Sequence, residues 1–176
     1  MMSPSRSTQR LRRTNEKPNI HSFDYTLDFH AIDFRQHPEL YRSGRGEQGV
    51  LLVEPYKSEI LPFWRFKTRQ EAKCSAAAIH RLFLRYLRED DFPGADMARK
   101  FLQMGWTRAR RYANHKNGRK YHPRSKTVLP RIHDREKAES AEIFYQKYVK
   151  ARMNKRYLRL KQSHADKFFS KPETTG

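Results

Sequence analysis

Glu47, Glu54, Lys57 and Glu59 gather three carboxylates and a lysine in one short span. In metal-dependent nucleases such acids hold Mg²⁺ while a lysine stabilises the attacking hydroxide. The run Glu54-Pro55-Tyr56-Lys57 lacks the single-residue gap typical of that motif. Three acids in so basic a chain serve equally well as ion-pair partners that position a basic helix. Mg²⁺ is expected only if this enzymatic reading holds. No other cofactor and no metal site is expected, because His115, His122 and His133 lack ligand spacing. Cys74 stands alone, and a single thiol supports neither an internal disulfide nor a cysteine-based zinc finger.

Anion binding is the better-supported chemistry. From Met97 to His133 the chain runs 37 residues without Asp or Glu while carrying eleven Lys or Arg. A single-sign field repels itself, so a surface of this kind is best explained by a polyanion that neutralises it. Within that stretch Ala98, Phe101, Leu102, Gly105, Ala109, Tyr112 and Ala113 follow helical spacing and form the expected buried face. The rest of the helix surface is expected to meet nucleic acid. Arg99, Lys100, Arg108, Arg110 and Arg111, with Arg119 and Lys120 after the helix, are the phosphate-contact candidates. Gln103 and Asn114 are of types that read base edges, and Tyr121 or Trp106 could stack on bases. With no acid inside the stretch, i, i+4 ion pairing is expected to be absent, which leaves these cations facing solvent. Gly105 does not make a helix-turn-helix, because Phe101 fills the position that wants a small residue, and Arg111 and Asn114 fall where apolar residues are needed.

The loop Gly44-Arg45-Gly46-Glu47-Gln48-Gly49 has too many glycines to ignore, but no Gly-Lys-Ser/Thr follows it. A backbone nest for phosphate is one reading. A tight hairpin turn with positive φ is the stronger one.

Composition sets the outer limits. The formal charge of +19 names nucleic acid as the first partner and an anionic membrane surface as the second. No apolar run approaches the length of a membrane span, and the N-terminus lacks the apolar region of a secretory signal. The expected partner is therefore nucleic acid, DNA or RNA, with no membrane and no small-molecule cofactor. The expected location is intracellular, cytoplasmic or else nuclear in a eukaryote. Oligomeric state is left open.

The positioning elements are read as α+β. Residues 1–21 form a disordered basic tail and 22–130 a compact domain, followed by a long helix at 131–163 and a C-terminal tail at 164–176. Phe23–Phe29 alternates apolar with polar residues, Val50–Val53 is a continuous apolar run, and Phe63–Phe66 follows Pro62; these predict a small antiparallel sheet. Thr68-Arg69-Gln70-Glu71 fits a capping box. It opens a helix over 69–88, with Ala72, Ser75, Ala76, Ile79, Leu82, Phe83, Tyr86 and Leu87 on one stripe and Cys74 on or near that side. Further helices are predicted over 95–114 and 134–160, the last with Ala141, Phe144, Tyr145, Tyr148 and Val149 inward.

Three stretches carry a resemblance. They are Pro38-Glu39-Leu40-Tyr41 through Val50, Glu54-Pro55-Tyr56-Lys57-Ser58-Glu59 with Trp64-Arg65-Phe66, and Gly94-Ala95-Asp96-Met97-Ala98-Arg99-Lys100-Phe101 through Asn114. Over about residues 22–125 the chain resembles an uncharacterised domain-of-unknown-function family found in bacteria, fungi and large tailed phages. The resemblance implies a self-contained intracellular domain and supplies no catalytic residues. The expectation is thus a nucleic-acid-binding protein. A nucleic-acid-processing enzyme built on the four residues above is the alternative, and a structural component of a ribonucleoprotein or virion is a third.

Overall fold

Thr68 starts the first long helix as the sequence predicts. In the computed structural model, which describes residues 22–170, its hydroxyl accepts from the Glu71 amide at 3.1 Å. The Glu71 carboxylate accepts from the Thr68 amide in return at 3.2 Å. The described residues form five α-helices in chain order: α1 Tyr56–Ile60, α2 Arg69–Arg88, α3 Phe92–Asn114, α4 Arg135–Arg152 and α5 Lys155–Phe169. The expected α2 stripe is buried, with Leu82 partly so, whereas Cys74 is exposed.

The α+β expectation is overturned, since the described residues contain no strand beyond one isolated bridge between Tyr121 and Val128. Local side-chain bonds explain the difference. Asp24 accepts from the Thr26 amide, Asp28 from His30, and Asp33 from both Arg35 and Gln36. Each carboxylate closes a turn on its own backbone and competes with any ladder. Four of the five aromatics of 23–41 still point inward, as a chain of rings from Phe23 to Phe29, Phe34 and Tyr41, while Tyr25 is exposed. At Val50–Val53 the amides bond back three residues, Val50 to Glu47 and Leu52 to Gly49, so this apolar run is a series of turns. Leu61–Phe63 is a short 3₁₀ turn around Pro62.

Helix α3 is the axis of the molecule, with α2 and α4 packed along it. It begins one turn earlier than predicted, because Asp91 caps it by accepting from the Gly94 amide and Pro93 is tolerated in the first turn. Gly105 lets α4 approach closely, since a Cβ there would lie 2.3 Å from the Phe144 ring. The expected single helix over 131–163 breaks at Met153–Asn154. Asn154 accepts from the amides of Arg156 and Tyr157 and so starts α5. Phe144, Tyr148, Ala151 and Tyr157 belong to the same core as α2 and α3, so α4 and α5 complete that core rather than standing apart. The predicted C-terminal tail is helical as far as Phe169; residues 171–176 and the predicted tail at 1–21 lie outside the described residues. No helix among the described residues is long and apolar enough to cross a membrane.

Candidate nucleic-acid interface

The two halves of α3 treat their cations in opposite ways. Residues Phe92 to Lys100 are all buried, including Arg99 and Lys100, both expected on the surface. Their partner is Asp96, one residue before the acid-free stretch begins. Arg99 Nε lies 2.8 Å from Asp96 Oδ1, and Lys100 Nζ lies 3.8 Å from Oδ2. The expected absence of i, i+4 pairing therefore fails at this end of the helix, where Lys100 pairs at i+4 and Arg99 at i+3. Asp96 also accepts from the hydroxyls of Tyr41 at 2.5 Å, Ser43 at 2.6 Å and Tyr157 at 2.7 Å.

One carboxylate between two cations leaves an excess positive charge inside, which needs acceptors because an unpaired buried charge is costly. The glycine loop provides them. Lys100 Nζ donates to the Ser43 carbonyl at 2.5 Å and the Gln48 carbonyl at 2.7 Å, and Arg99 donates to the Gly46 carbonyl at 3.1 Å. The rings of Phe23 and Tyr41 face the ammonium from about 5 Å. The loop does reach positive φ at Gly44, Gly46 and Gly49. It forms no hairpin, and it turns carbonyls toward cations rather than amides toward a phosphate. Burial alone would raise the Asp96 carboxyl. Arg99 and Lys100, helped by the Ser43 and Tyr41 hydroxyls, hold it well below the usual carboxylate range. Burial pushes Lys100 down to about 8 against the pull of Asp96, so it remains protonated at neutral pH.

The other end of the helix is open. Arg108, Arg110 and Arg111 are exposed, as are Lys116, Arg119, Lys120, Arg124, Lys126 and Arg131 in the segment that follows. None of these nine forms an ion pair with a described residue. The segment is ordered by its backbone. His122 and Thr127, Lys120 and Leu129, and Asn114 and Ile132 are joined by bonds of 2.9–3.0 Å, which fold it into a lobe returning to the helix end. Between helix and lobe lies a cleft of about 350 Å³ lined by Thr107, Arg110, Arg111, Asn114, His115, Gly118, Lys120 and Tyr121. No carboxylate lines it. Five predicted contact residues thus meet: Arg110, Arg111, Asn114, Lys120 and Tyr121. Tyr121 is 51% exposed, with the Lys120 ammonium 5.5 Å from its ring centroid.

Other predicted residues lie elsewhere. Arg108 and Arg119 are exposed outside the cleft lining. Gln103 accepts from Arg99 at 2.8 Å and belongs to the buried cluster. Trp106 packs on Tyr145 and Tyr148 of α4, with ring centroids 4.8 and 5.8 Å away. His115, which lacks ligand spacing in the sequence, flanks the basic face at the end of the helix. It lines the cleft, and its Nδ1 is buried without a hydrogen-bond partner among the described residues.

A family model described as a domain of unknown function (DUF4385) matches residues 24–167. The chain belongs to this family. The DUF4385 span takes in α4 and most of α5, beyond the 22–125 stretch that carried the resemblance, in agreement with one core running from Phe23 to Tyr157. No curated protein and no solved structure matches the chain.

The four residues of the nuclease expectation do not converge on one metal position in this DUF4385 chain. Glu47 accepts from Thr107, Glu54 pairs with Lys57 and caps Ser58, and Glu59 takes a bidentate pair from Arg35 together with the Tyr86 hydroxyl. Among the described residues no group of three or more His, Cys, Asp or Glu could hold a metal ion. The acids act as struts. Arg35, Glu59 and Tyr86, with Tyr56 donating to Asp91, clasp the N-terminal turns onto α2 and the start of α3.

Proposed function

We propose that the chain binds nucleic acid, DNA or RNA, through the C-terminal half of α3 and the lobe of residues 115–134. The observation that carries this reading is the run of nine exposed cations without an acidic partner among the described residues, several of them around one cleft. Because the cleft lies at the negative end of the α3 dipole, phosphate contact must come from side chains rather than helix amides. Arg110, Arg111 and Lys120 would meet phosphates, Asn114 a base edge or sugar, and Tyr121 would stack on an unpaired base. A nucleic-acid partner and a lone exposed thiol fit a reducing compartment, cytoplasmic or nuclear.

The test is fluorescence anisotropy with matched duplex and single-stranded DNA and RNA over a salt series. Binding should weaken steeply with salt. Replacing Arg110, Arg111 and Lys120 by Ala should flatten the log–log slope on duplex DNA by about 0.9 for each phosphate that is no longer neutralised. Absence of measurable affinity for every probe at low salt would refute the reading.

A further inference from the structure

A second cavity, of about 590 Å³, lies between the 42–48 loop and α5 and shares no lining residue with the cleft. Its volume is within the range of small-molecule sites, roughly 300–1,000 Å³. Arg42, Arg45 and Lys161 line it, no Asp or Glu does, and none of these three cations forms an ion pair with a described residue. Asp24 feels the charge of Arg42 but does not line the cavity, and its carboxylate is held by the Thr26 hydroxyl and amide. Behind the wall, Ser43 connects to the buried Asp96 cluster, whose net charge is also positive. A concave surface with charge of one sign on both sides concentrates its field on an anion.

Part of the remaining wall is aromatic, through Phe169, His164 and the buried Phe92; the rest is Ser22, Ser43, Gly44, Gln48 and Ala165. Phe92 and Phe169 both pack on the His164 ring, at 4.9 and 5.8 Å between centroids. The Arg42 guanidinium carbon stands 5.5 Å from the centre of Phe169, which restrains a long side chain before any ligand arrives. His164 is fixed too: its Nε2–H donates to the Tyr41 carbonyl at 2.8 Å. The site thus combines cations for a phosphate with flat apolar surface for a ring, in a space too small for a duplex.

We propose that this cavity binds a nucleoside phosphate, with Arg42, Arg45 and Lys161 around the phosphate and Phe92 and Phe169 beside the base. This inference does not rest on the nucleic-acid reading of the cleft. The same chemistry is offered by a free mononucleotide and by the 5′-phosphorylated end of a strand.

Isothermal titration calorimetry of the full chain with adenosine and guanosine 5′-monophosphate tests it, with the nucleosides and inorganic phosphate as separate halves. At least one nucleotide should saturate a single site and bind roughly tenfold or more tighter than either half. Lys161 is exposed, so K161E should keep its circular dichroism spectrum while losing roughly tenfold or more in nucleotide affinity. The double variant R110A/R111A, which alters only the cleft, should bind the nucleotide as the parent does. Displacement of the nucleotide by a 5′-phosphorylated oligonucleotide, but not by its 5′-hydroxyl twin, identifies a strand end as ligand; displacement by neither identifies the free nucleotide. No saturable nucleotide binding, equal affinity for inorganic phosphate, or an unchanged K161E overturns the proposal, and none of these bears on the salt-dependent binding assigned to the cleft.

Discussion

Arg99 and Lys100 differ little in type from Arg110 and Arg111, and all four lie on one helix within an acid-free run. The first pair is an interior scaffold and the second an open surface. Asp96 and the glycine loop make the difference. The first pair has a carboxylate three and four residues upstream and three backbone carbonyls folded over it. The second has neither. A run of positive charge therefore marks a binding face only where the fold leaves its cations without acceptors.

The sharpest way to break this comparison is to remove its pivot. Asp96→Ala strips two buried cations and three hydroxyls of their shared acceptor, and should cost about 3–5 kcal/mol or more in urea unfolding. If the variant were as stable as the parent, the inner pair would be no scaffold.

The next test uses pH. Lys100 titrates near 8 in the fold but near 10.5 when unfolded. Above pH 8 the unfolded chain thus holds the extra proton, and stability should rise from pH 8 toward 10. Above 10 the trend should reverse, because burial and carboxylate neighbours raise Tyr41, Tyr56, Tyr86 and Tyr157, so the folded chain then holds the extra protons. A Lys100→Met variant should lose the rise between 8 and 10 in the same denaturation series.

Gly105 lies between the two halves. Gly105→Ala would gain about 1 kcal/mol of helix propensity, yet its Cβ would enter the Phe144 ring, which has no exposed surface into which to move. A net loss of about 1–3 kcal/mol is expected, read as a lowered urea midpoint; a gain would mean that α4 is loosely packed there.

The smallest effect on stability belongs to the open half. R110A/R111A should shift unfolding by no more than about 0.5 kcal/mol, while reducing the salt dependence of the proposed nucleic-acid binding. Destabilisation comparable to that of Asp96→Ala would erase the distinction between the two ends.

Much of the helical frame was legible from residue order. The Thr68–Glu71 capping box and the stripe from Ala72 to Leu87 are local signals, and the structure realises both. Asn154 was equally legible as a helix start and was hidden by the absence of any Gly or Pro near it that would mark a break. The N-terminal third misled for a physical reason: alternating aromatics satisfy a strand and a chain of Asp-closed turns equally well, and only the backbone bonds separate them. The cleft is lined by Arg110, Arg111, Asn114, Lys120 and Tyr121, all of which type and spacing select as contact candidates. Arg99 and Lys100 lie inside because, Asp96 and Gln103 aside, their acceptors are carbonyls of a loop about fifty residues away, and Gln103 is held there by accepting from Arg99. The Arg42, Arg45 and Lys161 cavity was invisible for the same reason, as it joins segments far apart in the chain.

Tyr157 closes the Asp96 cluster from α5, 61 residues downstream. During synthesis on a ribosome, α2 and α3 emerge well before that hydroxyl. Until it arrives, Asp96 lacks one of its donors, and the faces of α2 and α3 that α4 covers stay wet. The nascent chain cannot lock its interior one helix at a time; its final tertiary order waits for α5.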